Sequence, residues 1–312
     1  MNATGLRASP EGTRATARNI RACLWTAIAV ILLAGAAAAR GAEVELVRVP
    51  GGDFVMGESS GEPDEAPRAV TVAPFRLMRF EVTNRQFAAF IAATGHRTDA
   101  ERSGFGYVWD GRWRQVAGAD WRHPRGADGG IGAKADHPVI QVSAGDAAAF
   151  CAWHGLRLPA EEEWEFAARG PDARRYPWGD ARPEQRGTRR ANFGTERCCA
   201  PDPSDGFALT APVGSFPAGA SPFGIEDMAG NVWEWTATAF PGRPGMVALR
   251  GGGWGNDAYC LRGAYRHANP PDIGLEMVGF RCAGDAKTRG YKRPLPPGAP
   301  VKPRQFTATG RR

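Results

Sequence analysis

The sequence predicts a single loop-rich domain that mixes short helices and strands and is pinned by large aromatic side chains. Three observations lead there. Gly (41) and Pro (25) supply about a fifth of the 312 residues, and ten Trp accompany them, which suits irregular segments better than a helical bundle. Hydrophobic residues at 43% and charged residues at 23% are ordinary globular values, so wholesale disorder, collagen and coiled coil are excluded. From about residue 43 to 286, no repeat, linker or shift in composition divides the chain.

The elements follow in order from local chemistry. Arg7, Arg14, Arg18 and Arg21 precede an apolar run from Cys23 to Ala39, and Ala37-Ala38-Ala39 offers small residues for cleavage. Residues 1–42 therefore read as an export signal or, uncleaved, as an anchor that would be the chain's one membrane contact. Either way the remainder is expected to be periplasmic or secreted. Val44–Val49 alternates, and Gly51-Gly52 turns into Phe54-Val55-Met56, which reads as a hairpin. Thr83 to Gln86 is a capping box opening a helix that carries Phe87, Phe90 and Ile91 on one face and stops at Gly95. Ser143 to Asp146 opens another through Trp153, with Cys151 on it and His154 at its end. Glu161-Glu162-Glu163 starts a third, with Trp164 and Ala167-Ala168 on its apolar side and Gly170 as its stop. These acids suit the positive end of a helix dipole and are not read as a catalytic cluster. From Gly170 to Cys282 there are only short strand-like runs, so bound ions or a disulfide are expected to fix the loops.

The net charge of +6 belongs to the ends. Residues 1–42 carry +4 and residues 287–312 carry +8, leaving −6 for 43–286. A mildly acidic folded part argues against nucleic acid as a partner. The segment 287–312, with five Pro and eight basic residues, reads as a solvated disordered tail. Cys23 falls within the leader. Cys151, Cys198, Cys199, Cys260 and Cys282 remain, and five is odd, so one thiol is unpaired or pairs with another molecule.

Many short motifs then occur in series. Gly51-Gly52-Asp53-Phe54-Val55-Met56-Gly57 and Glu81-Val82-Thr83-Asn84 come first, followed by Ala119-Asp120-Trp121-Arg122-His123-Pro124 and Asp136-His137-Pro138-Val139. Arg157-Leu158-Pro159 runs into Glu163-Trp164-Glu165, and Tyr176-Pro177-Trp178-Gly179 follows. Gly230-Asn231-Val232-Trp233-Glu234-Trp235, Arg250-Gly251-Gly252 and Gly279-Phe280-Arg281-Cys282 close the series. Together, from about Val47 to Ala283, they resemble the formylglycine-generating enzyme (sulfatase-modifying factor) family.

The resemblance implies an α+β domain of C-type-lectin-like type with little regular secondary structure. It implies a disulfide between Cys151 and Cys282, and two Ca2+ sites. One would use Asn192, Phe193, Asp205 and Phe207, the other Asp227, Gly230, Val232 and Glu234. Calcium takes six to eight oxygens, which such Asp/Asn/Gly-rich turns present well. In the family's oxidases two cysteines after Arg-Gly-Gly bind Cu(I) and oxidise a cysteine of a sulfatase to formylglycine. Here Cys260 aligns with the second, while Gly255 or Asn256 stands at the first. Cys260 is thus the expected catalytic thiol and copper ligand, with Trp233 and Arg262 as groove residues. Cys198, Cys199 or His267 would have to supply another soft donor, whereas Cys198-Cys199 could bridge to each other or to Cys260. Three readings follow: an oxidoreductase acting on a protein or peptide substrate, a periplasmic maturation factor for a secreted product such as a siderophore, or a calcium-stabilised binding module without catalysis.

Overall fold

A computed structural model describes residues 43–288 except Asp128, so the expected leader in 1–42 and the tail beyond residue 288 lie outside the described residues. Among the described residues, no helix is long and apolar enough to cross a membrane.

Thirteen strands and four α-helices are described, most of them short. Strands β1 (Leu46–Val49), β2 (Gly52–Met56), β3 (Arg68–Val72) and β4 (Phe75–Met78) come first. The expected hairpin between β1 and β2 does not form. β1 pairs antiparallel with β4, and β2 with β3. Gly51 and Gly52 explain the divergence: both have positive φ, and a Cβ on Gly51 would lie 2.4 Å from the Val72 carbonyl. The chain therefore leaves β1 at an angle, and each strand finds a different partner.

Helix α1 (Asn84–Thr94) has the expected capping box on Thr83 and a left-handed Gly95 at its end. A short α2 (Asp99–Ser103), missing from the sequence expectation, precedes the hairpin of β5 (Phe105–Trp109) and β6 (Trp113–Ala117). Helix α3 (Ala144–Trp153) is capped by Ser143, and α4 (Glu161–Arg169) ends at Gly170. Phe87, Phe90, Trp121, Phe150 and Phe280 pack as one aromatic group between α1 and α3. Trp164 and Phe166 of α4 join Phe54, Met56, Phe75, Leu77, Ile225 and Met228 in a second core.

After α4 come the two-residue strands β7 (Glu184–Gln185) and β8 (Thr188–Arg189). The stretch read as mostly loop then contains the largest sheet. β9 (Trp233–Ala239) lies between β10 (Val247–Arg250) and β12 (Val278–Gly279), and β11 (Arg266–Asn269) flanks β10. Strands of two to four residues show too little alternation to register as period-2 patterns. Finally β13 (Ala283–Asp285) pairs with β4, so strands from both ends of the domain share one partner. The Cys151–Cys282 disulfide, with Cα atoms 5.6 Å apart, ties α3 to the residue preceding β13.

Candidate functional site around Cys260

The segment leaving β10 sets the geometry. Arg250 is fully buried, donates at 2.7 Å to the carbonyls of Ala264 and Tyr265, and pairs with Glu161 and Glu165 of α4. Glu165 also holds Arg169 at 2.6 Å and accepts from the Gly57 amide. Glu161 binds Arg266 through both oxygens. The acids of α4 thus do more than complement a dipole: Glu161 in its first turn and Glu165 in its second anchor the loop that carries Cys260. Gly251 and Gly252, both at positive φ, let the chain fold back closely enough that a Cβ on Gly252 would touch the Cys260 carbonyl at 3.0 Å.

Asn256, which with Gly255 stands where the family's first cysteine was expected, is a post within this loop. Its Oδ1 accepts from Trp233 Nε1 at 2.9 Å and from the Gly253 amide at 3.0 Å, and its Nδ2 donates to the Arg197 carbonyl. The same carbonyl accepts from Cys260 Sγ at 3.6 Å. The 194–200 loop is laid along this turn by backbone bonds: Gly194 and Ala200 donate to Asn256 and Gly255, and Asp257 donates to Glu196. Gly194 is required by the approach, since a Cβ there would come within 2.7 Å of Gly255 backbone. The Arg197 guanidinium stacks over Tyr259 at 3.4 Å.

Cys198 and Cys199 are joined to each other, Cys198 being exposed and Cys199 buried. Cys260 is the free thiol among the described residues and is buried. Burial, with Asp257 adding to it, pushes that thiol up to about 12, and the Tyr265 hydroxyl beside it is raised as well. Trp233 is buried with its ring against Tyr265 and the exposed His267. Arg262 is buried too, and its guanidinium is held by Glu65 and Glu58 rather than left free for a substrate. His154, at the end of α3, packs on Phe150 and Trp153 with neither ring nitrogen bonded, and burial lowers its pKa to about 4.

The oxygens expected around calcium divide into two unlike sets. In the first, Arg189 reaches the Phe193 carbonyl at 2.9 Å, Asp202 at 3.1 Å and Ser204 at 2.8 Å, and lies 3.6 Å from Asp205. Asn192 donates to the Leu209 carbonyl, while the Phe207 amide binds Asp205 Oδ1. Asp205 Oδ2 stays buried without a hydrogen bond. A guanidinium therefore already supplies positive charge at these oxygens.

In the second set, Glu234 is gripped by Arg281 at 2.7–3.0 Å and by Trp164 Nε1 at 2.8 Å. Asp227 accepts from the Gly214 amide, and Glu81 accepts from Asn231 and from the Val232 amide. Three buried carboxylates, Glu81, Asp227 and Glu234, thus face one guanidinium. Burial raises Glu81 strongly and brings Asp227 to about 6. The set therefore holds more buried acid than its one guanidinium balances. Gly230 belongs here because a Cβ on it would strike the Asn192 carbonyl at 2.3 Å, so the two sets abut.

For copper the fit fails in the disulfide form. One buried, protonated thiol is a poor Cu(I) site. Among the described residues no group of three or more His, Cys, Asp or Glu is placed to hold a metal. Arg189, Arg197 and Tyr265 were not singled out by sequence, and Asn256 was noted there only for the cysteine it lacks, because their roles arise from contacts between distant loops. Only Arg197, next to the Cys198-Cys199 pair, had a neighbour that could have drawn attention.

Comparison with known proteins fits this architecture. The sulfatase-modifying factor enzyme 1-like domain family matches residues 34–286. The formylglycine-generating enzyme of Streptomyces coelicolor is 41% identical, covering 77% of this chain and 89% of its own. The inactive C-alpha-formylglycine-generating enzyme 2 of Bos taurus is 38% identical, covering 79% and 90%. The structure of PvdO from Pseudomonas aeruginosa superposes with a TM-score of 0.62 at 28% identity, over 78% of this chain and 94% of that one.

Proposed function

Because the chain belongs to the sulfatase-modifying factor enzyme 1-like family, we propose that it carries out oxidative maturation of a protein or peptide outside the cytoplasm, with Cys260 as its reactive thiol. The carrying observation is that the free cysteine among the described residues stands in the turn after Arg250-Gly251-Gly252. There it lies within reach of Tyr265 and the 194–200 loop, on a frame of buried ion pairs. A thiol of pKa about 12 is protonated at neutral pH and needs a bound partner or a shift of the covering loop to react. The test uses the purified chain, a sulfatase-type cysteine peptide, copper(I), reductant and oxygen, with carbonyl capture on the peptide. Aldehyde that vanishes in Cys260→Ala supports the reading. Oxidation unaffected by that substitution, or none from the wild type, sinks it.

One observation favours a second reading, a binding or assembly module without catalysis. Where the first cysteine was expected stand Gly255 and Asn256, and Asn256 is a hydrogen-bonded post, as would suit a retained scaffold with lost chemistry. A peptide bound tightly but left unmodified would select it.

Calcium at the second oxygen set is part of the proposal, supported by its excess of buried carboxylate. Chelation should then lower stability by about 3 kcal/mol relative to calcium at a hundredfold excess over its dissociation constant. Identical denaturation curves in EGTA and calcium would remove calcium from the proposal.

A further inference from the structure

The first oxygen set, where calcium was expected, already has a cation. Arg189 ends β8, which pairs with β7 in a hairpin whose turn is Arg186-Gly187, both at positive φ. The hairpin brings a planar guanidinium, its side chain only 13% exposed, against the loops that follow. Each edge of the fork meets an oxygen. Nη2 donates to the Phe193 carbonyl at 2.9 Å, and Nη1 donates to Ser204 Oγ at 2.8 Å and to Asp202 Oδ2 at 3.1 Å. Nε donates to the Ala191 carbonyl at 3.4 Å and faces Asp205 Oδ2 at 3.6 Å. The cation also lies over the Phe193 ring, 4.4 Å from its centroid. Of the expected calcium ligands, three are thus committed elsewhere. The Phe193 carbonyl accepts from Arg189, Asp205 Oδ1 accepts from the Phe207 amide, and Asn192 turns its amide nitrogen to the Leu209 carbonyl. Calcium takes six to eight oxygens at about 2.3–2.6 Å. An ion seated on the Phe193 carbonyl and Asp205 would stand beside the guanidinium, and like charges so close in a half-dry pocket repel strongly. Arginine and calcium are therefore alternatives at these oxygens.

We propose that the Arg189 guanidinium takes the place of calcium at the first oxygen set, so that the segment leading into the loop over Cys260 is held by the chain's own charge and not by a metal ion. Phe193 immediately precedes Gly194, whose amide donates to the Asn256 carbonyl at 2.7 Å. Holding the Phe193 carbonyl therefore fixes where the 194–200 loop begins. Arg189 is a positioning residue: it touches neither Cys260 nor its neighbours and acts through that loop. Its charge is permanent, whereas a bound ion leaves when its concentration falls. The first set should therefore ignore chelators. This inference stands apart from the reading of Cys260 as the reactive thiol. It also stands apart from calcium at the second set, because its test reads a difference between variants.

The experiment counts bound calcium on the full chain by equilibrium dialysis with radioactive calcium at about 1 mM, where weak extracellular-type sites fill. Arg189→Ala should bind one calcium per chain more than wild type, whatever number the second set contributes to both. Arg189→Gln is the second variant should the first not fold, and near-UV circular dichroism reports folding. In wild type, Asp205→Asn should leave the calcium count unchanged. Hydrogen exchange of residues 193–200, followed by mass spectrometry, reads the positioning role. In EGTA that segment should exchange about tenfold faster in Arg189→Ala than in wild type, for the loss of charge-assisted hydrogen bonds, and calcium should slow it again. Three results would overturn the proposal. Folded variants that bind no more calcium than wild type mean that these oxygens are not a cation site. A wild-type count that falls by one in Asp205→Asn means that an ion sits beside the arginine. Exchange unchanged by Arg189→Ala in EGTA means that the guanidinium does not hold the loop. If the second set binds no calcium, both counts fall together and their difference survives, so that failure is seen separately.

Discussion

Two parts of the molecule meet at Cys260 and are held by different means. The scaffold of α4 and β10 relies on buried charge: Glu161, Glu165, Arg169, Arg250 and Arg266 form a continuous network, with the Arg250 guanidinium over the Trp164 ring. The 194–200 loop has almost no apolar content. Backbone bonds to Gly255, Asn256 and Asp257, one guanidinium over Tyr259 and a bridge between adjacent cysteines hold it. Breaking a buried ion pair leaves an uncompensated charge in a dry interior, whereas losing an exposed loop contact returns its groups to water. The contrast puts stability in one wall of the site and leaves the other free to change state.

This contrast can be broken or sharpened at graded cost. Removing the Cys151–Cys282 link should be the largest effect, about 5 kcal/mol for a loop of 131 residues. Urea unfolding of Cys282→Ala measures it, and a loss under 1 kcal/mol would mean that packing alone ties α3 to β13. Next, Glu165→Ala should cost about 3–5 kcal/mol, because it takes a buried carboxylate from both Arg250 and Arg169, leaving Arg169 with carbonyl acceptors alone. Should it instead cost no more than a loop substitution, the network is not what anchors the scaffold.

The third effect depends on pH. His154 has a folded pKa of about 4, below its ordinary 6.5, so the unfolded chain binds the proton first as pH falls. Stability is therefore complete above about pH 6.5, is lost between 6.5 and 4, and falls no further from this source below 4. The loss amounts to about 3 kcal/mol. His154→Phe should flatten that limb of the stability–pH curve, and an unchanged limb assigns it elsewhere. The smallest effect belongs to the loop: Arg197→Ala should cost about 0.5–1 kcal/mol. A cost rivalling that of Glu165→Ala would erase the distinction between the two walls.

How legible each part was follows the same division. The helices were readable because their signals are local. Thr83 and Ser143 lie within a few residues of the groups they cap, and Gly95 and Gly170 stop the helices in place. The four-stranded sheet was not, because β10, β11 and β12 are too short to declare a period and are fixed by partners tens of residues away. The hairpin expected at Gly51-Gly52 failed because local turn chemistry cannot say which strand comes next in space. At the site, arithmetic on cysteines left one of five unpaired, and the family resemblance pointed to Cys260. The convergence of Cys199 on Gly255 is a tertiary contact without a sequence signature. The same holds for Arg189 among the first set of oxygens: a basic residue in a two-residue strand looks like surface until the loop folds onto it.

The sharing of β4 by β1 and β13 bears on biosynthesis. A ribosome delivers the chain from one end, and at about 5–20 residues per second the first strand waits tens of seconds for the last. During that interval β4 has one edge unpaired and Cys151 has no Cys282 to join. The domain is thus closed by its final strand, like a box by its lid. A nascent chain halted before Ala283 would present an open sheet edge and a reactive thiol to whatever chaperones and oxidants surround it.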